Sequence, residues 1–384
     1  MLNTDIANRH IKKMHLTLVI SSLACGGAER ALTLLAEGFI NNGHNVSVVT
    51  LATKEDDFYK VPDGVRKLEL GIIRNSHTVL DAIKNNIYRL WVLRKTIESL
   101  QPDVVISFLY PTNILILLAL IGSKYPVIVS EQNNPAFDTQ KIWHKMRHLV
   151  YPYAAKVVSV SKGIDIYFDW LPKTKRAVIY NPLQTIQIQT SEFTLPPGAN
   201  PTKKWVIAMG RLVYQKGFDI LLPAFKNIAD KHPDWQLLIC GEGELRSELE
   251  TLRDSLGLGK QVLFPGVISN PIALFQHSKL FVFSSRWEGL GVVLLEAMAS
   301  ALPVISTDCP SGPREIVRDE INGILVPNQD IIALATAMDN LMSNQEKRHR
   351  LAANAAEVTE FFSLKKIVKL WEELVGDLVT EKSR

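Results

Sequence analysis

Cysteine is scarce in this chain: Cys25, Cys240 and Cys309 are the only three in 384 residues. An odd, scattered set with no C-x-x-C pair excludes a disulfide framework and a structural zinc site, and it fits a reducing compartment. Surplus charge is lacking too. A formal net charge of +4 is too small to argue for a nucleic-acid binder. No apolar run reaches the roughly 18–20 residues that a membrane-spanning helix needs; the longest, 114–121, has the length of a buried helical segment. No G-x-G-x-x-G occurs, which counts against a dinucleotide-dependent oxidoreductase. No D-x-D occurs either, so the usual carboxylate handle for a divalent metal is missing.

What is present is enough apolar material, 47% of residues against 21% charged, to build two well-packed domains, since a chain of this length outgrows one core. Lys12-Lys13 ahead of the apolar stretch 16–25 imitates a signal peptide. The chain beyond Cys25 reads as a continuing fold, so 16–21 is taken as a first buried strand and 1–13 as a loose, flexible extension. From there strand and helix alternate: a Gly26-Gly27 loop, a helix over 28–41, a strand over 46–51, a helix over 83–100, and strands over 104–108, 127–130 and 156–160. Residues 183–204, rich in Gln, Thr, Ser and Pro without any period, read as a linker. Alternation then resumes, with strands over 205–209, 236–240, 262–264, 280–284, 304–306 and 323–326. The prediction is an α/β protein with two doubly wound, Rossmann-like parallel sheets, 14–182 and 205–362, whose ligand-binding loops follow the strand carboxyl ends.

Two clusters carry chemistry. In the first, Glu288 sits in a loop after a strand, Gly289, Leu290 and Gly291 lead into a helix, and Glu296 follows two turns on. Glycines let the backbone approach a ligand, and free amides at a helix start favour an anion such as a diphosphate. Carboxylates suit sugar hydroxyls. In the second, Gly210, Arg211, Lys216 and Gly217 bridge a strand and a helix. A guanidinium and an ammonium five residues apart can clamp a diphosphate, each charge-assisted hydrogen bond contributing about 1.5–3 kcal/mol.

The E-x7-E pair within SSRWEGLGVVLLEAMASALPVI, together with GRL…QKG, resembles the donor-site signature of glycosyltransferase family 4, which consists of retaining enzymes of the GT-B fold. The likeness extends to bacterial galactosyl- and N-acetylgalactosaminyl-type transferases that assemble lipopolysaccharide, other surface polysaccharide or lipid-linked oligosaccharide. The resemblance implies two facing domains with a cleft between them: an N-terminal acceptor domain, a C-terminal donor domain, and a helix within 363–384 crossing back to the first. It implies that Glu288 contacts the transferred sugar, Glu296 the nucleotide ribose, and Arg211 and Lys216 the diphosphate of a UDP-sugar. Gly26-Gly27 would lie against the donor phosphates. Gly241, Glu242 and the loop of Val267 would surround the base. Catalysis would rest on Glu288, Arg211 and Lys216 and need no metal, because fixed cations and amides can carry the charge that develops on the leaving diphosphate. Ser311-Gly312-Pro313-Arg314 resembles a loop of relatives that use galactose-type donors.

Glu131, Gln132 and Asn133 follow a strand of the first half and are the acceptor-site candidates. Many relatives have His where Gln132 stands; glutamine can orient a hydroxyl or carbonyl but cannot shuttle a proton. Lys84, Arg89, Arg94 and Lys95, and again Lys141, Lys145, Arg147 and His148, interleave with apolar and aromatic residues. Such basic amphipathic helices suit an anionic membrane, and a polyprenyl-diphosphate-linked acceptor fits a peripheral enzyme on the inner, cytoplasmic face. Other activities on the same fold, nucleotide-sugar epimerisation or phosphorolysis, and a non-catalytic sugar-nucleotide binder are the competing readings.

Overall fold

The computed structural model describes residues 12–53, 57–73, 78–138, 140–184 and 193–382. Most of the expected extension and part of the expected linker lie outside them. The chain divides into two compact units, one of residues 1–160, 164–182 and 364–384 and one of 161–163 and 183–363.

The first unit holds seven parallel strands: β1 (His15–Ile20), β2 (Asn45–Thr50), β3 (Arg66–Glu69), β4 (Val104–Phe108), β5 (Val127–Glu131), β6 (Lys156–Ser159) and β7 (Arg176–Val178). All but β3 and β7 are formed by runs rich in β-branched residues. Their order, β3-β2-β1-β4-β5-β6-β7, reverses direction between β1 and β4. The central strands are buried throughout, as a sheet covered on both faces requires. The helices used below are α1 (Gly27–Asn41), α2 (Val79–Leu100), α3 (Tyr110–Ala119) and α4 (Lys141–Val150). The C-terminal helix Leu364–Lys382 packs on α1 of this unit. Gly38 makes that possible, because a Cβ there would lie 2.3 Å from Val368 Cγ2. Glu372 of the same helix accepts from Asn42 Nδ2 at 2.8 Å and bonds His44 Nε2 at 3.0 Å.

The second unit holds six parallel strands: β8 (Lys204–Met209), β9 (Trp235–Cys240), β10 (Val262–Gly266), β11 (Leu280–Phe283), β12 (Val304–Thr307) and β13 (Ile324–Val326). They are ordered β10-β9-β8-β11-β12-β13, with the reversal between β8 and β11. Trp235, Phe225, Phe275 and Phe281 anchor its core.

Two strands escape the sequence pattern, β3 and β7. Both are short and charged, and each lies at a sheet edge, where one neighbour suffices and polar residues are favoured.

Candidate active site

In the second unit, the loops after β8 and β11 flank the point where strand order reverses, the place where open α/β sheets bind ligands. One loop carries Arg211 and Lys216, the other Glu288. The two are joined by an ion pair, Lys216 Nζ to Glu288 Oε1 at 2.7 Å. Both side chains are largely enclosed, and the ammonium also lies 5.6 Å from the Phe283 ring centroid. Arg211 is exposed at the start of the same loop.

Backbone geometry explains the glycines. Gly217 has φ +65° and sits so close to β11 that a Cβ would fall 2.1 Å from the Ser284 carbonyl oxygen. Gly241, at φ +134°, lies against Gly210, where a Cβ would come within 2.0 Å of its carbonyl oxygen. The loops after β8 and β9 therefore pack backbone to backbone, with Leu212 N donating to Glu242 O at 2.9 Å. The Glu242 side chain pairs with Arg246, whose Nη2 also donates to Phe264 O at 2.8 Å. Val267 is exposed just past β10.

Gly291, at φ +95°, caps the helix Val292–Ala299 without a side-chain bond to its first amides. Those amides keep the positive end of the helix dipole. Gly289 and Leu290 are buried in the approach to it, and Glu296 is buried within it at 6% exposure. A buried glutamate is not the solvated surface residue that an amphipathic helix would offer. Cys309 lies beside the pair: burial, and then the Glu288 carboxylate, push its thiol up.

In the first unit, Gly26 caps α1 in extended conformation, with Gly27 as its first residue. At the end of β5 the chain makes a buried polar cluster. Glu131 is 0% exposed. It takes Arg147 Nε at 3.1 Å and Nη2 at 3.3 Å, and also the Tyr151 hydroxyl. Arg147 bonds Asp138 as well, and its guanidinium carbon lies 4.6 Å from the Tyr110 ring centroid. Glu131, one of the acceptor-site candidates, is thus fully buried and bonded to Arg147 and Tyr151. One expectation is corrected here. Arg147 belongs to this buried cluster and not to a solvated basic face of α4. Gln132 is fixed at both ends of its amide, donating to Ser130 Oγ at 2.8 Å and accepting from Asn181 Nδ2 at 2.8 Å. Asn133 alone of the three is exposed.

Residues 191–358 match the family described as "Glycosyl transferases group 1", and residues 25–186 match "Glycosyltransferase Family 4". The chain belongs to glycosyltransferase family 4. Among similar proteins of this family is a Campylobacter jejuni enzyme named GalNAc-alpha-(1->4)-GalNAc-alpha-(1->3)-diNAcBac-PP-undecaprenol alpha-1,4-N-acetyl-D-galactosaminyltransferase. It is 30% identical over 367 residues, covering 95% of this chain and 99% of the relative. A second enzyme from that organism, N-acetylgalactosamine-N,N'-diacetylbacillosaminyl-diphospho-undecaprenol 4-alpha-N-acetylgalactosaminyltransferase, is 26% identical over 92% of this chain and 97% of its own. The structure of Anabaena HepE in complex with UDP-glucose matches with a TM-score of 0.75 at 18% identity, over 96% of this chain and 100% of the other. Its likeness concerns the fold, which is GT-B.

Sequence reasoning missed how this family 4 chain braces its charged loops. Arg286, quoted within the motif but given no role, is 7% exposed and holds Asp219 with both terminal nitrogens, at 2.8 and 2.6 Å. Arg147 and Tyr151 were likewise unassigned as partners of Glu131. No local signal could have paired residues 67 positions apart, as Arg286 and Asp219 are.

Proposed function

We propose that this glycosyltransferase moves a hexose or N-acetylhexosamine from a UDP-sugar to a polyprenyl-diphosphate-linked saccharide, with retention of anomeric configuration and without a metal. The observation that carries the donor half is the Lys216–Glu288 pair, 2.7 Å apart beside the reversal point of the sheet. An ammonium has three hydrogens, so Lys216 can keep Glu288 and still donate to a phosphate oxygen. Arg211, exposed on the same loop, adds a second cation, and the amides beyond Gly291 add fixed dipoles. As the sugar–phosphate bond breaks, negative charge grows on the diphosphate, and these groups stabilise it most strongly in the transition state. That is the work a divalent cation does elsewhere. Glu288 would orient the transferred sugar, Glu296 the ribose, and the Gly241–Glu242 and Val267 loops the base, with Gly210 opening the loop that carries Arg211 and Lys216. Gly26-Gly27 would approach the phosphates. Gln132 and Asn133 would meet the acceptor.

The names of the Campylobacter relatives, both acting on undecaprenol-linked saccharides, support the acceptor half. So does the surface of the first unit. Among the described residues no helix is long and apolar enough to cross a membrane. Yet α2 exposes Leu80, Ile83, Ile87 and Trp91 along one side at helical spacing, with Lys84 and Lys95 also exposed on this helix. On α4, Ile142 and Leu149 are exposed with Lys141, Lys145 and His148. These faces would rest the enzyme on an anionic inner leaflet. The test is a donor panel of UDP- and GDP-sugars with undecaprenyl-diphosphate-linked N-acetylgalactosamine-containing acceptors, run with and without EDTA. Proton NMR of the product reads the anomeric configuration. Transfer only from GDP-sugars, a β-linked product from an α-linked donor, or abolition by EDTA would each sink that part of the reading.

A further inference from the structure

Lys216 ends a single tight turn, Tyr214–Lys216, closed by the bonds of Lys216 N to Val213 O at 3.0 Å and Gly217 N to Tyr214 O at 3.3 Å. The loop leaving β11 ties the turn down further. Arg286 Nη1 donates to the Tyr214 carbonyl oxygen at 2.6 Å, and its guanidinium carbon lies 3.8 Å from the Tyr214 ring centroid. Its backbone N donates to Gln215 O at 2.7 Å. Gln215 Nε2 returns a bond to Trp287 O at 2.9 Å, and Ser284 Oγ donates to Lys216 O at 2.9 Å. All three residues of the turn are thus tied to residues 284–287. The guanidinium is itself locked by the two-pronged bond to Asp219, in the first turn of the helix Phe218–Ala229, and by Gln329 Oε1 at 3.3 Å.

This arrangement is more than a structural ion pair in its consequences. Arg286 stands two residues before Glu288, and the turn it clamps ends on the lysine that pairs with Glu288. We propose that Arg286 is a positioning residue for donor binding: its planar fork, set by Asp219, seats the 214–216 turn on the 284–288 loop and so fixes Lys216 to grip the second phosphate of a nucleoside diphosphate. The inference rests on the donor-site reading above. A lysine at 286 would keep the charge but lose the planar fork that bonds Asp219 and Tyr214 O together.

The test compares UDP with UMP, which differ by that second phosphate, by titration calorimetry on the full chain. The wild type is expected to favour UDP. In Arg286→Gln the affinity for UDP should fall about tenfold, a change of about 1.4 kcal/mol, while that for UMP stays within about twofold. Arg286→Lys should fall between the two. Asp219→Asn, which leaves the Tyr214 bond in place, is the milder variant should Arg286→Gln not fold; it should lower the UDP/UMP ratio in the same sense. A ratio unchanged in these variants, or equal losses for UDP and UMP, overturns the positioning role while the donor reading stands. A wild type indifferent to the second phosphate overturns both.

Discussion

Replacing Lys216 with Met separates two effects that the same ammonium produces. Its Nζ lies 2.7 Å from Glu288 Oε1, and the two side chains are only 15% and 8% exposed. Met fills the stem but leaves the carboxylate without its cation in a poorly hydrated place, which costs about 1–3 kcal/mol of stability. It also removes a preorganised donor aimed at charge that develops only as the leaving group departs, a loss of about 10²–10³ in rate. Unfolding in urea and steady-state transfer kinetics read these separately. Adding Glu288→Gln to Lys216→Met should restore much of the stability, because no bare carboxylate remains, and none of the rate. Lys216→Met with kcat/KM within about tenfold of wild type and unchanged UDP affinity would refute the reasoning. So would a double variant that recovered both properties.

Arg147→Met should destabilise the first unit by about 3–5 kcal/mol, since it strands Glu131 and Asp138 in a buried site; a urea midpoint indistinguishable from wild type would contradict this, and Arg147→Met with Glu131→Gln should recover part of the loss. Gly241→Ala forces a Cβ to within 2.0 Å of the Gly210 carbonyl oxygen at φ +134°, so it should cost more than about 1 kcal/mol and weaken UDP binding. The thiols give a pH signature. Burial pushes Cys240 up to about 12 and raises Cys309 as well, so above about pH 8.5 the unfolded chain releases protons that the native chain keeps. Stability then falls with rising pH by about 1.4 kcal/mol per unit for each thiol; the slope between pH 9 and 10.5 should be shallower in Cys240→Ala, and equal slopes would count against it. Finally, Ile87→Ser with Trp91→Ser should reduce flotation with anionic vesicles while leaving transfer to a short, soluble acceptor analogue unchanged.

The amino-acid sequence by itself determined the alternation of strand and helix, because runs such as those of β4 and β9, apolar at all but one position, suit the centre of a covered sheet. It also determined which residue types gather after β8 and β11, glycines at 210, 217, 289 and 291 beside Arg211, Lys216 and Glu288. The edge strands β3 and β7 stayed hidden, as an edge imposes no apolar pattern. Only the tertiary structure decided which charges meet. Glu288 and Lys216 are 72 residues apart and Arg286 and Asp219 are 67, and strand order, not local propensity, sets such distances. The same holds for Glu131 and Arg147, whose sequence neighbours suggest a ligand contact and a membrane face. Burial is a property of the packed sheet and its helices; a single segment of chain carries the charge but not the surroundings that decide whether it faces a ligand, a partner or water.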